Sequence, residues 1–243
     1  MQPDFLLINK PKDWTSHDVV GYLRKVTRIK KIGHAGTLDP FATGLLIVGI
    51  GREATKRLDE FKSLQKTYVA TLKLGYISDT FDSTGNIKKY KKNIKQILTK
   101  IFSISFQYLF PSLKITTKKK IDSTLKKFIG KQNQIPPMYS AKKVNGKKLY
   151  ELARKGIEIE RKPCDIEISD IKILEYSWPL LNIEVACSSG TYIRTLAHDI
   201  GQKLGCGAYC EELERTRIGD YTLDNAYKLS EINFENFQNK LFV

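Results

Sequence analysis

The residues best suited to chemistry lie in one short segment, Gly33-His34-Ala35-Gly36-Thr37-Leu38-Asp39-Pro40-Phe41-Ala42-Thr43-Gly44. Three glycines in twelve residues permit tight turns or the close approach of a ligand backbone. Asp39 precedes Pro40, which biases it toward an extended conformation and can hold its carboxylate outward from a stiff loop. Such a carboxylate can act as a nucleophile or stabilise a developing positive charge. Local chemistry leaves a second reading open, in which Asp39 is a turn residue or the N-cap of a helix beginning at Pro40. His34 can be a base, a stacking plate for a nucleobase or an ordinary loop histidine.

Other chemistries lack their signatures. Cys206 and Cys210 are four apart with His198 upstream, but the second closely spaced pair of a structural zinc site is missing. Reduced cysteines in a core or turn are the expectation, with no metal site. No GxxxxGK[ST], GxGxxG or GxSxG run is present, and Ser188-Ser189-Gly190 does not replace one.

The elements that must carry these residues follow from pattern. Residues 4–10, DFLLINK, read as a short strand. Thr15 or Ser16 caps a helix running through Val19, Val20, Tyr22 and Leu23. Gly33 to Gly44 reads as a loop, and Leu45 to Ile50 as an apolar strand. Residues 67–75 alternate and are β-branched, so they read as a strand. Residues 165–175 and 181–187 read as paired strands. Residues 191–204 read as an amphipathic helix ended by Gly205. Lys147 to Arg154 reads as a short helix ended by Gly156.

Composition narrows the class. The 243 residues carry 41 Lys+Arg against 26 Asp+Glu, a formal charge of +15 that points to an anionic partner, nucleic acid first. Residues 88–131 hold 13 Lys and one acid, Asp122, together with an apolar patch from Ile101 to Leu113. That stretch is either a solvated helix-loop-helix insert or a cationic clamp on phosphates. Lys142 to Lys162 adds eight basic residues and three acidic ones. No apolar run is long enough to span a bilayer, and the N-terminus lacks the basic start of a signal peptide. Four cysteines fit a reducing cytosol. We expect one domain over 1–243 with a basic excursion, no membrane association and no obligate protein partner.

At the Asp39 loop the sequence resembles a known family. GHAGTLDPFATGLL is similar to the catalytic motif of the TruB-type tRNA pseudouridine synthases. LINKPKDWTSHDVV resembles that family's N-terminal Lys-Pro motif, and KTYVATLKLG followed by DTFDSTG its tyrosine-bearing strand and turn. QIPPMYSAKKVNGKKLYELARKG resembles its RNA-gripping thumb, here residues 132–162. CSSGTYIRTLAHDIGQKLGCGAY followed by LERTRIGDY resembles its arginine motif and closing strand. The blocks stand in family order from about residue 5 to residue 221.

The resemblance implies an α+β pseudouridine-synthase fold, a long curved, mostly antiparallel mixed sheet decorated by helices. It implies isomerisation of uridine 55 in the tRNA T loop, on a flipped base and without a cofactor. By position, Asp39 matches the catalytic aspartate, Tyr68 the base-stacking tyrosine implicated in late proton removal, and Arg194 the arginine paired with the aspartate. Leu213 matches an apolar wall of the uracil pocket. His34 matches a histidine that holds the rearranged T loop, and Lys10 a lysine supporting the tyrosine-bearing part of the site. Tyr192 beside Arg194, and Lys142, Lys143, Lys147 and Lys148 of the thumb, are RNA-binding candidates. Taken singly, Tyr68 reads as a core residue, Arg194 as partner to a surface acid, and Leu213 as uninformative.

Two departures stand out. Many bacterial relatives continue into a C-terminal PUA domain, whereas 22 residues follow Tyr221 here, too few for one. The Lys-rich stretch 88–131 is longer than the family usually has, and its lysines are expected to replace part of that RNA contact. A cytoplasmic monomer acting on the tRNA T arm is the resulting expectation. The alternative is a non-catalytic RNA-binding protein or tRNA-folding chaperone using the same surface; a guide-RNA-dependent synthase is a more remote third.

Overall fold

The structure, a computed structural model, describes residues 4–91, 116–144 and 146–242. Its frame is a ten-stranded mixed sheet. The first strand, β1 (Asp4–Lys10), runs antiparallel to β3 (Thr43–Ile50). β3 is an almost unbroken apolar run, and it is buried on both faces. Leu46, Val48 and Ile50 pack with Val19, Val20 and Leu23 of helix α1 (Ser16–Thr27). Leu45 and Ile47 pack with Ala54, Leu58 and Phe61 of helix α2 (Arg52–Lys62). Thr15 closes α1 with a capping box to Asp18, as its position before the apolar stripe predicts.

β4 (Lys66–Leu74) lies between β12 (Ala208–Ile218) and β11 (Leu180–Cys187), antiparallel to both. Beyond β11 come β10 (Cys164–Ser177) and the edge strand β7 (Gly130–Gln134), again antiparallel. β12 joins β3 by a short parallel contact, Glu214 opposite Thr43 and Arg215 opposite Gly44. The far edge is β14 (Tyr227–Lys228), parallel to β1. β2 (Ile32–Ala35) pairs with β3, β13 (Tyr221–Thr222) with β12, and β5 (Tyr76–Ser78) with β6 (Ile87–Lys89) in a separate hairpin. The expected mixed, mostly antiparallel sheet is therefore present.

One face of β4, β11 and β12 packs against helix α5 (Ile193–Leu204), through Ile193, Leu196, Ala197, Ile200 and Leu204. Gly205 ends α5 in the left-handed conformation. Helix α3 (Lys118–Leu125) adds Ile121 and Leu125 to this core, so it is not a freely solvated helix. The rest of the Lys-rich reading, including the apolar patch from Ile101 to Leu113, lies largely outside the described residues.

Three readings are corrected. Gly33 to Gly44 is not all loop: Ile32–Ala35 extends the sheet as β2, and the loop narrows to 36–42. Pro40 starts no helix; Ala42 N–H donates to the Asp39 carbonyl at 3.1 Å in a tight turn. Lys147 and Lys148 are not helical but form β9, paired with β8 (Lys143–Val144), and helix α4 (Leu149–Ala153) follows. Among the described residues, no helix is long and apolar enough to cross a membrane.

Candidate active site

Asp39 sits on a loop whose backbone is fixed from several directions. The Ser16 hydroxyl, in the first turn of α1, accepts from Leu38 N–H at 2.9 Å and donates to the Leu38 carbonyl at 3.2 Å. On the other side, the Pro40 carbonyl accepts from Asp13 N–H at 2.8 Å and from Lys10 Nζ at 3.3 Å. Gly44 closes the segment at φ +100°, and a Cβ there would come within 2.4 Å of the Arg215 carbonyl oxygen, so only glycine fits. A loop held this way keeps its carboxylate preorganised rather than mobile.

The carboxylate is gripped by one guanidinium. Arg194 Nε donates to Asp39 Oδ2 at 2.8 Å, and Nη2 to Oδ1 at 3.1 Å. This two-point fork fixes both the position and the plane of the acid. The remaining donors of Arg194 go to the Thr80 carbonyl (3.1 Å), the Tyr139 carbonyl (2.7 Å) and Asp82 Oδ2 (3.2 Å). Asp82 is locked in turn: its Oδ1 accepts from the hydroxyls of Thr80 (2.7 Å) and Thr84 (2.6 Å) and from Thr84 N–H (2.9 Å). Arg194 is 3% exposed, whereas Asp39 keeps 36% of its side chain open. The pair thus buries the cation and leaves the anion facing outward.

α5 begins at Ile193, and Arg194 falls in its first turn, which has no acidic residue of its own, so the offsetting carboxylates come from Asp39 and Asp82. The helix start is anchored by Gln134 of β7. Its Oε1 accepts from Tyr192 N–H at 2.8 Å and its Nε2 donates to the Tyr192 carbonyl at 3.0 Å. Tyr192 is the N-cap residue, half-buried and two residues before Arg194 in the chain.

Two effects oppose each other at Asp39. Burial pushes its pKa above the ordinary carboxylate range and the Arg194 guanidinium pulls it back, with Asp82 raising it and Lys10 lowering it. Tyr68, on β4, is half-buried against the main core. Burial raises its phenol pKa, and the Arg215 guanidinium beside it works in the opposite direction. Leu213 lies opposite Ala70 on β12, 7% exposed, and with Phe41 and Thr43 borders a depression of about 300 Å³.

Lys10 differs from its expected role. Its fully buried ammonium donates to the carbonyls of Pro11 (2.8 Å), Trp14 (2.7 Å) and Pro40, so it braces the Asp39 loop rather than the tyrosine-bearing strand. Burial lowers its pKa to about 8, partly offset by Asp39. His34 lies on β2 opposite Val48. Burial, helped by Arg215, lowers its pKa to about 4, so it is a neutral imidazole at pH 7.

The thumb lysines separate into two kinds. Lys143 and Lys147 are exposed on the β8–β9 hairpin. Lys142 lies against the Cys164 sulfur, and Lys148 approaches Glu151 at 4.0 Å and the Tyr150 ring. Cys210 is buried in β12, and the His198 ring stacks on Phe81.

Two residues that complete the site escape a reading of candidates one at a time. Asp82 stands in the threonine-rich turn Asp79-Thr80-Phe81-Asp82-Ser83-Thr84, a composition that can satisfy a buried carboxylate. Arg215 is 1% exposed and donates to the carbonyls of Leu45 (2.8 Å) and Gly36 (2.9 Å), tying β12 to both ends of the Asp39 loop. Its sequence signal was only a charged residue at an inward position of an alternating strand.

The chain matches the profiles of known families over most of its length. The profile described as "TruB family pseudouridylate synthase (N terminal domain)" matches residues 24–108 and 104–193. The profile described as "tRNA pseudouridylate synthase B C-terminal domain" matches residues 194–240. The chain is 46% identical over 228 residues to "tRNA pseudouridine synthase B" of Protochlamydia amoebophila, covering 94% of this chain and 79% of that one. It is also 46% identical over 237 residues to the protein of the same name from Parabacteroides distasonis, covering 95% and 92%. Among solved structures it is similar to a chain of a Cbf5-Nop10-Gar1 complex, with TM-score 0.67 and 25% identity over 98% of this chain. It spans 59% of that longer chain.

Proposed function

The chain belongs to the TruB family of pseudouridylate synthases, and from that premise we propose that it converts uridine 55 of the tRNA T loop to pseudouridine, with Asp39 as the catalytic carboxylate. The observation that carries this reading is the two-point Arg194–Asp39 pair, which leaves the acid open on one side. A protein that only bound or refolded RNA would have no use for a guanidinium spending all its donors on one reactive carboxylate and its supports.

The reaction breaks the N1–C1′ bond and forms a C5–C1′ bond. The hydrogen on C5 leaves as a proton and N1 gains one, so nothing is oxidised and no redox cofactor is needed. Asp39 supplies negative charge where the ribose–base junction becomes electron-poor. Tyr68 offers a flat wall for a base that has left its stack, and we assign late removal of the C5 proton to its phenolate, whose formation the Arg215 guanidinium favours and burial opposes. Leu213 and Phe41 keep water from a detached uracil. The neutral His34 can stack on or hydrogen-bond an unstacked loop base without adding charge.

Recognition of the T arm rests on shape and phosphates. Lys143 and Lys147 are exposed on the hairpin and assigned to the RNA backbone, and the partly buried Lys142, Lys148 and Tyr192 are assigned to further RNA contacts. Removing both exposed lysines (Lys143→Ala with Lys147→Ala) is expected to weaken T-arm binding and flatten the slope of log K against log[KCl] by about 1–2, with kcat unchanged. A filter-binding titration in KCl checks this. We place the protein with tRNA in the cytoplasm, as a monomer whose excess positive charge opposes self-association.

Tritium release from uridine labelled at C5 tests the assignment. With full-length tRNA the enzyme should release one label per molecule, and a transcript carrying cytidine at position 55 should release none. Release from that control would refute the site of modification, and no release from either RNA would favour the binding-only reading.

A further inference from the structure

Two acceptors reach the same nitrogen of Arg194 from residues that flank one side chain. Nη1 meets the Thr80 carbonyl and the Asp82 carboxylate, and Phe81 lies between them. Phe81 has φ +65°, a backbone conformation that bulky L residues rarely adopt. This turn folds the chain back so that the carbonyl of residue 80 and the carboxylate of residue 82 converge. Strain of this kind persists only where the surroundings hold it.

Two features hold it here. The Phe81 carbonyl accepts from Cys210 N–H at 2.9 Å, which ties the turn to β12. The Phe81 ring stacks on His198 with ring centroids 4.1 Å apart and planes 23° from parallel. His198 follows Arg194 by four residues in α5, so the two side chains share one helix face. One helix therefore presents both the guanidinium and the plate that shapes its acceptors. His198 Nδ1 is buried and has no hydrogen-bond partner among the described residues, and burial lowers the imidazole pKa. The ring is used for its flat face.

We propose that the Phe81–His198 stack is a positioning device for the reaction: it holds the 79–85 turn so that Thr80 and Asp82 fix Arg194, and Arg194 in turn sets the Asp39 carboxylate. The proposal rests on the assignment of Asp39 and Arg194 made above.

The test compares His198→Ala, His198→Phe and Phe81→Ala with wild type, each shown to be folded by circular dichroism. Tritium release from a labelled T-arm RNA reads kcat and KM. Modification of Arg194 by phenylglyoxal, located by mass spectrometry, reads its protection without any substrate. His198→Ala and Phe81→Ala should lower kcat about 10- to 100-fold, the effect of a misplaced reacting group. KM should stay within about threefold, because binding does not use the stack. In both variants Arg194 should react faster with phenylglyoxal. His198→Phe keeps a ring, removes the unpartnered nitrogen, and should restore both kcat and protection.

Wild-type kcat and a protected Arg194 in folded His198→Ala would reduce the stack to ordinary packing and overturn the proposal. So would a folded His198→Phe that fails to recover, since the imidazole itself would then be the active feature. If His198→Ala does not fold, Phe81→Ala and His198→Phe decide the same two readouts. Wild type that releases no tritium would sink the uridine assignment, while Arg194 protection would still decide the positioning role.

Discussion

Asp39→Asn is expected to reduce tritium release about 10⁴-fold or more. The amide is nearly isosteric and can still accept from Arg194, so the loop held by Ser16, Lys10 and Asp13 should keep its shape. What disappears is the negative charge at the ribose–base junction. Affinity for the T arm should stay within about threefold, because phosphate contacts dominate it. The pH profile gives a second readout. In the proposed role the carboxylate acts ionised, so the wild-type rate is expected to rise with pH up to the Asp39 pKa and to be level above it. Burial places that acid limb above the range of an ordinary aspartate, although Arg194 opposes the shift. The amide has no proton to lose there, so any residual rate should lack the limb. Residual activity within tenfold of wild type would assign the chemistry to another group.

Arg194→Met should damage both activity and stability, and the two losses should separate. Without the guanidinium, Asp39 and Asp82 face each other with no cation between them. Asp82 is nearly buried, and breaking its pair is expected to cost about 3 kcal/mol, seen in urea unfolding. Asp39 contributes less of this, since a third of it is solvated. Its pKa should rise further, because a cause that lowers it has gone and Asp82, which raises it, remains. The acid limb of the rate profile therefore moves to higher pH, and kcat should fall about 10³-fold as the fork that orients the carboxylate is lost. Adding Asp82→Asn to this variant removes the stranded charge. Stability should largely return while activity does not. Recovery of both would mean that Arg194 acts only as a structural counter-ion. Arg194→Lys should not substitute, because an ammonium cannot reach Asp39, Asp82 and the carbonyls of Thr80 and Tyr139 together.

Much of the frame could be read in advance because it is written in local pattern. Period-two alternation marked β4, β10 and β11, and the cap at Thr15 marked α1. Some local signals were present but passed over. Ala54, Leu58 and Phe61 have helical spacing inside a highly charged segment, and they are the buried face of α2. Asn145-Gly146 is a hairpin signal, and the strands β8 and β9 flank it. The family motif around Asp39 is contiguous, so the carboxylate itself could be singled out from the chain.

The partners of that carboxylate were a different matter. Asp39 and Arg194 are 155 residues apart and meet only because β12 and β4 bring α5 over the loop. The ordered motifs suggested the pair by resemblance, but alternation and spacing carry no information about which acid an arginine will reach. Lys10 illustrates the limit. Its sequence position suggested support for the tyrosine strand, whereas its ammonium turns to three backbone carbonyls around the Asp39 loop. Phe81 and His198 had no local signal at all. A residue's secondary structure depends mainly on its neighbours in sequence. A buried polar side chain must instead find its partners wherever the fold places them, because leaving them unmade is expensive. The sequence alone thus marked the central strands, the helices α1 and α5 and, by resemblance, the candidate acid. Only the tertiary structure decided which distant groups hold that acid in place.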